Sequence, residues 1–175
     1  MALSPLADWS NFYVIIGTAA GGLTGLTFVV IALASEVNRL ETAGLRAFVT
    51  PTIVHFGTVL ALAAYLNVPH QSVISLSIGF AVAGVAGVVY SGVIAATMRT
   101  FATKYVPVHE DWLWNVLVPA ALYATLAAMA VLSWRRLEHG LYGIAAVSVS
   151  LLFVGIRNAW DVAVWNSVKQ HPQTP

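Results

Sequence analysis

Along the chain, long apolar runs with almost no charge alternate with short polar breaks. A helix needs roughly 20 apolar residues to cross the bilayer core, and five runs approach or exceed that length: residues 12–34, 51–68, 73–97, 112–134 and 141–165. The pattern predicts an all-α integral membrane protein, a bundle of five transmembrane helices forming one transmembrane domain over residues 1–175. The second run is the shortest and carries His55. The break Asn67-Val68-Pro69-His70-Gln71 is short and contains proline, which predicts a tight antiparallel hairpin of the second and third helices. The longest breaks, residues 35–50 and 98–111, leave no room for a soluble domain.

Small residues recur within two of the runs at helical spacing. Gly17, Gly21 and Gly25 fall at i, i+4 and i+8 in the first, and the third carries Ser75, Gly79, Ala83, Gly87, Ser91 and Ala95. Glycine inside a helix is unfavourable in water. In lipid, such a row opens a flat groove that another helix backbone can approach closely. Both rows are therefore expected to be helix-packing faces. Spans 1 and 3 could satisfy each other within one subunit, or either could pack on a neighbouring subunit around a symmetry axis.

Composition agrees with the pattern: 59% of residues are hydrophobic and 9% are charged, against about 25% charged in soluble domains. Eight basic and seven acidic residues make no basic face, so nucleic acid is excluded as a partner. The chain has no cysteine, hence no disulfide, thiolate metal site or cysteine nucleophile. Asp8, with no Lys or Arg, precedes the first run, and that run is too long for the core of a signal peptide, so it is expected to be a retained span. Arg39, Arg46, Arg99, Lys104 and Lys169 fall on one side of the bundle, and Arg135 and Arg136 on the other. The positive-inside rule then predicts an outside N-terminus and a cytoplasmic C-terminus. Trp9, Phe12, Trp134 and Tyr142 mark one interface, and Tyr105, Trp112, Trp114 and Trp165 the other.

Ionisable groups in a membrane are costly, and each is a candidate for function. His55 follows Pro51, which suits a first helical position, while Arg157, Asn158 and Asp161 fall in the last third of the fifth run. Glu36, Asn38 and Arg99 leave spans 1 and 3 on the same side. One inner-mouth polar cluster of His55, Arg157, Asn158, Asp161, Glu36 and Arg99 is expected. Arg157 and Asp161 can pair at i, i+4, but in the less favourable order and with the acid near a helix C-terminus. Asp161 is therefore expected to have a second partner, with His55 or a basic loop residue as candidates. His55 itself is expected to be a packed, hydrogen-bonded neutral side chain. Pro119 should free the Asn115 carbonyl and kink the fourth helix. Tyr90 and Tyr123 are expected to be interhelical hydrogen-bond partners.

No HExxH, GxSxG, glycine-rich phosphate loop or EF-hand pattern occurs. With His55 the only histidine in a span, the sequence points to no haem, no metal and no other cofactor, and to a protein that is not an enzyme. Residues 11–29, Asn-Phe-Tyr-Val-Ile-Ile-Gly-Thr-Ala-Ala-Gly-Gly-Leu-Thr-Gly-Leu-Thr-Phe-Val, and the stretch Phe48 to Phe56 resemble uncharacterised small bacterial multi-spanning membrane proteins. That resemblance implies a bacterial inner-membrane setting and no particular chemistry, and it makes Thr50, Pro51 and His55 worth testing together. The expected function is a homo-oligomeric channel or pore for ions or small solutes, lined by neutral groups such as Thr18, Thr24, Thr27, Ser75 and Ser91. The alternatives are a non-transporting assembly or regulatory partner and a small-solute transporter.

Overall fold

The runs of the sequence become helices that extend well past their apolar limits. The computed structural model describes residues 4–36, 42–101 and 109–168, and within them the side chains of 6–32, 50–100 and 109–161. The elements are α1 (Ser4–Glu36), α2 (Thr42–Leu66), α3 (Val73–Phe101), the single turn α4 (His109–Trp112), a π turn (Leu113–Leu117), α5 (Val118–Arg135) and α6 (Leu137–Val168). No strand occurs among the described residues. Backbone groups at a bilayer edge gain nothing by leaving the helix before water is reached, so helices overrun the apolar stretch.

Four stretches are long and apolar enough to cross a membrane: Leu6–Ala32, Val73–Thr100, His109–Arg135 and Leu137–Asp161. The apolar part of α2, Thr50–Leu66, is shorter. Large apolar side chains such as Val14, Ile15, Phe28, Val85, Val89, Phe153 and Trp160 point outward. Such a surface would aggregate in water and is what hydrocarbon requires. The chain is therefore an all-helical integral membrane protein.

Pro51 does not start a helix. α2 begins at Thr42 and Pro51 lies inside it, buried. A membrane helix tolerates an interior proline when surrounding groups re-satisfy the freed carbonyl. Pro119 is accommodated by a change of winding. In a regular helix its ring would strike the Asn115 carbonyl. Instead the preceding turn widens, and the Val118 N–H donates to the Leu113 carbonyl, five residues back. The Asn115 amide Nδ2 donates to the Asp111 carbonyl at 3.1 Å.

α3 lies along α5, α1 along α2, and α6 against both α2 and α5. α6 is the central helix, with 56% of its apolar window buried, and α1 is peripheral at 11%. The two small-residue rows therefore do not meet each other. Gly17 approaches Ala63 of α2, Gly79 the Tyr65 ring of α2, Gly84 the Ala127 backbone of α5, and Gly87 the Tyr123 ring of α5. α2 and α3 are joined by the expected tight turn, in which His70 adopts a left-handed conformation with φ 59°. Tyr65 donates to the Ser75 carbonyl at 2.7 Å and Gln71 to the Tyr65 carbonyl at 3.0 Å, which ties that corner together. Beyond it α3 leaves α2 for α5. At the other corner only Arg136 separates α5 from α6, and Gly140 lets Ser133 approach.

Candidate functional site

The bundle has a turn end, with the α2–α3 and α5–α6 corners, and an opposite end marked by Arg157. Its apolar core includes Tyr13, Phe56, Val59, Phe80, Leu126, Leu141, Ile144 and Leu151. Polar side chains interrupt that core mainly in the half toward Arg157. Thr52, His55, Ser91, Asn115, Tyr123 and Asn158 are all buried there.

Helix register explains the grouping. Thr52 and His55 are i, i+3 on the buried face of α2, and Asn115, Pro119 and Tyr123 are i, i+4, i+8 on the buried face of the α4–α5 rod. Asn158 lies one turn past Gly155, whose missing side chain lets the Phe56 ring settle on α6. Three buried faces thus converge at one level. There the His55 Nδ1 stands 2.9 Å from the Tyr123 hydroxyl, which is 3.3 Å from the Thr58 hydroxyl. Thr58 in turn donates to the Val54 carbonyl at 2.8 Å. Gly87 permits this level to close, because any side chain there would occupy the Tyr123 ring.

Several buried polar atoms in this half have no hydrogen-bond partner among the described residues: His55 Nε2, Tyr90 Oη, Asn115 Oδ1 and Asn158 Nδ2. By helical rise, Asn158 sits about 5 Å from the Gly155 level and Asn115 about 12 Å from Tyr123, both toward the Arg157 end. The four atoms all belong to the Arg157 half of the bundle. Orphaned polar atoms in a low-dielectric core cost free energy, and native proteins hold few of them. Ser77 and Ser133 also have orphaned hydroxyls, near the turn end. Between the two regions, Phe56, Val59, Leu126 and Leu151 are fully buried.

The Arg157 end is ionic. Arg157 pairs with Asp161 at 2.9 Å and with Glu110 of α4 at 3.8 Å, and its guanidinium lies 4.4 Å from the centre of the Trp114 ring. Arg99 stands over Trp112 at 5.7 Å. The expected cluster therefore divides in two. Arg157 and Asp161 pair at the partly exposed end, Arg99 stands over Trp112 and is not one of that pair's contacts, and His55 and Asn158 are buried in the core. Glu36 has its side chain outside the described residues. Asp161 does not reach His55, whose Nδ1 meets Tyr123, and the side chains of the basic residues Arg39, Arg46, Lys104 and Lys169 lie outside the described residues. It is Arg157 that has the second partner, Glu110. Tyr123 is an interhelical partner as expected, whereas the Tyr90 hydroxyl has none among the described residues.

The hydroxyls expected to line a pore are used within the fold. Thr18, Thr24, Thr27 and Ser91 each donate to the carbonyl four residues back, and Ser75 bonds Tyr65 and Gln71. Thr58, Glu110, Trp114 and the orphaned Asn115 oxygen escaped the sequence reading. Thr58 shares a helix face with His55 at i, i+3, a signal that was present. Glu110 and Trp114 carry no local signal toward Arg157. The described residues include no group of three or more His, Cys, Asp or Glu able to hold a metal ion. Comparison with protein-family models, curated proteins and solved structures gives no match, so the geometry alone carries the functional reading.

Proposed function

We propose that the protein is a homo-oligomeric membrane permeation protein, a channel or pore for ions or small solutes, set in a bacterial inner membrane. Its five helices all cross, α2 as the short one, with the N-terminus outside and the Arg157 end cytoplasmic, as the basic-residue balance favours. The observation that carries the reading is the set of orphaned polar atoms, His55 Nε2, Tyr90 Oη, Asn115 Oδ1 and Asn158 Nδ2, buried in the Arg157 half of a largely apolar bundle. Polar groups left without partners inside a membrane protein are candidates for lining a solute path. These groups are neutral, and Phe56, Val59, Leu126 and Leu151 are buried on their turn side, so passage requires those side chains to part. In this reading the path runs within each subunit.

Homo-oligomer assembly is supported by α1, where Gly22 and Gly25 have no neighbouring atom that an added side chain would meet. The same open face fits the second reading, a membrane assembly partner that moves nothing. Flux in proteoliposomes separates the two, measured with K⁺, Cl⁻ and a small neutral solute, on the wild type and on His55→Leu. Flux of any of these that falls in the variant supports permeation. Absence of flux under every condition rejects it in favour of the partner reading.

A further inference from the structure

The turn His109–Trp112 and the π turn Leu113–Leu117 are gripped by two other helices. Arg157 of α6 uses its whole guanidinium. Nη1 holds Asp161 at 2.9 Å, Nη2 reaches Glu110 at 3.8 Å, and the central carbon lies over the Trp114 ring, 4.4 Å from its centre. A planar guanidinium can serve carboxylates along its edge and an aromatic ring across its face at once. Arg99 of α3 stands over Trp112, 5.7 Å from the ring centre, within the range of about 6 Å over which an aromatic face attracts a cation. Glu110 and Trp114 are i, i+4 and share one side of the helix. Trp112, two positions from each, faces about 200° away. The two arginines therefore hold this segment from opposite sides, α6 on one and α3 on the other.

Between the two grips the segment is tied to itself. The Asn115 Nδ2 donates to the Asp111 carbonyl at 3.1 Å, a bond that spans both tryptophans. Asn115 and Val116 are buried, which fixes the inward side. Winding sets where the outward sides point. The Val118 N–H donates to the Leu113 carbonyl, five residues back, so the rod holds one residue more here than a regular helix would. Taking that residue out of the turn would rotate the chain before it by about 100° relative to α5. Trp112 would leave Arg99 and Trp114 would leave Arg157 in the same movement. Pro119 is buried and opposes the regular winding, because its ring would strike the Asn115 carbonyl. The winding and the two grips are thus satisfied together.

We propose that residues 109–117 form a latch at the Arg157 end, held by Arg99, Arg157 and the π winding and released as a unit when any one of the three is lost. The latch rests on the permeation reading only for what it closes, the Arg157 side of the half that carries the orphaned Asn115 oxygen. Its grip on α6 is open to the salt of the solution, since the Arg157 side chain is 31% exposed and that of Glu110 79%. Exposed ion pairs weaken as salt screens them, so rising ionic strength is the condition that releases the latch.

The test is ¹⁹F nuclear magnetic resonance on the full-length protein in lipid nanodiscs, with 5-fluorotryptophan at its 6 tryptophans. Trp112→Phe and Trp114→Phe assign the two lines, and Trp134, at the turn end, is the internal control. In the wild type, added KCl should move the Trp112 and Trp114 lines together, with one midpoint, and leave Trp134 in place. Arg157→Gln should shift the Trp112 line although its own arginine is untouched, Arg99→Gln should shift the Trp114 line likewise, and Pro119→Ala should shift both. A Trp112 line that stays still while Trp114 moves with salt overturns the latch without any variant having to fold, as do lines that each respond only to their own arginine. Two lines indifferent to salt overturn its release by ionic strength. Flux in proteoliposomes is scored separately. Coupled lines with flux raised severalfold by Arg157→Gln support the latch as the closure of a path. Coupled lines without flux in any protein keep the latch and end the permeation reading, whereas equal flux in wild type and Arg157→Gln overturns the latch as that closure.

Discussion

Replacing Gly87 by alanine is the sharpest test of how the small-residue faces are used. A Cβ at this position falls on Cγ and Cδ1 of the Tyr123 ring. That ring cannot swing aside cheaply. Tyr123 is fully buried, and its hydroxyl is held by His55 at 2.9 Å and Thr58 at 3.3 Å. Overpacking a filled core costs about 1–3 kcal/mol. If the ring moves instead, the interhelical hydrogen bond is lost, worth about 0.6 and at most 1.7 kcal/mol in a membrane. The helix-forming advantage of alanine over glycine returns about 1 kcal/mol. The net expectation is a loss of about 0–2 kcal/mol relative to wild type, and of about 1–3 kcal/mol relative to an alanine placed where nothing is overpacked. Gly25→Ala is the control, because no atom lies within 4 Å of its added Cβ. It should leave subunit stability unchanged or raise it by up to about 1 kcal/mol.

The assay is reversible unfolding in mixed micelles of increasing SDS fraction, read by helicity and tryptophan emission. Oligomer size in nanodiscs is measured alongside. Gly87→Ala should unfold at a lower SDS fraction than Gly25→Ala whatever its oligomeric state. Gly25→Leu should leave the subunit folded and dissociate the oligomer. A Gly87→Ala protein as stable as Gly25→Ala would refute the α3–α5 packing argument. An oligomer that survives Gly25→Leu would remove the α1 face as its seam.

Three further outcomes follow from local geometry. His70 holds φ 59°, a conformation costing a side chain about 1–2 kcal/mol. His70→Gly should therefore be neutral to stabilising and His70→Val destabilising in the same SDS titration, and a stabilised His70→Val would contradict the turn geometry. Pro119→Ala removes the reason for the π turn, so the preceding segment should rewind by about one residue, or about 100°. Because the chain lacks cysteine, a single cysteine at Val116, 8% exposed, can report this by becoming accessible to a thiol reagent; unchanged labelling would mean the π turn has another cause. Arg157→Ala breaks the contacts joining α6 to Glu110 and Trp114. With an exposed ion pair worth about 0–1 kcal/mol and a cation–π contact about 0.5–1 kcal/mol, amide exchange over residues 109–117 should speed up about tenfold, and unchanged exchange would show that the clasp holds nothing.

What the sequence made legible was whatever depends on one helix at a time. Apolar length is read directly from the chain, so the helices at 12–34, 73–97, 112–134 and 141–165 were visible, each then lengthened by the drive to keep backbone groups paired. The Arg157–Asp161 pair was visible from its i, i+4 spacing. Pro51 was misread because its preference for a first turn in water loses force where neighbouring helices satisfy the freed carbonyl. The spacing of Gly17, Gly79 and Gly87 flagged close approach but not the partner, since a groove accepts any helix of matching shape and only the whole bundle selects α2 or α5. For the same reason His55 and Tyr123, 68 residues apart, could not be joined in advance. Once joined, they mark a change in the core. On the Arg157 side of this pair the core carries orphaned polar atoms. On the turn side, Phe56, Val59, Leu126 and Leu151 are buried in the apolar cluster. Gly155, whose lack of a side chain lets the Phe56 ring rest on α6, sits at that change. His55 and Phe56 are neighbours in sequence and about 100° apart around α2, so one turns to Tyr123 of α5 and the other to Gly155 of α6, and a single turn of α2 joins all three helices.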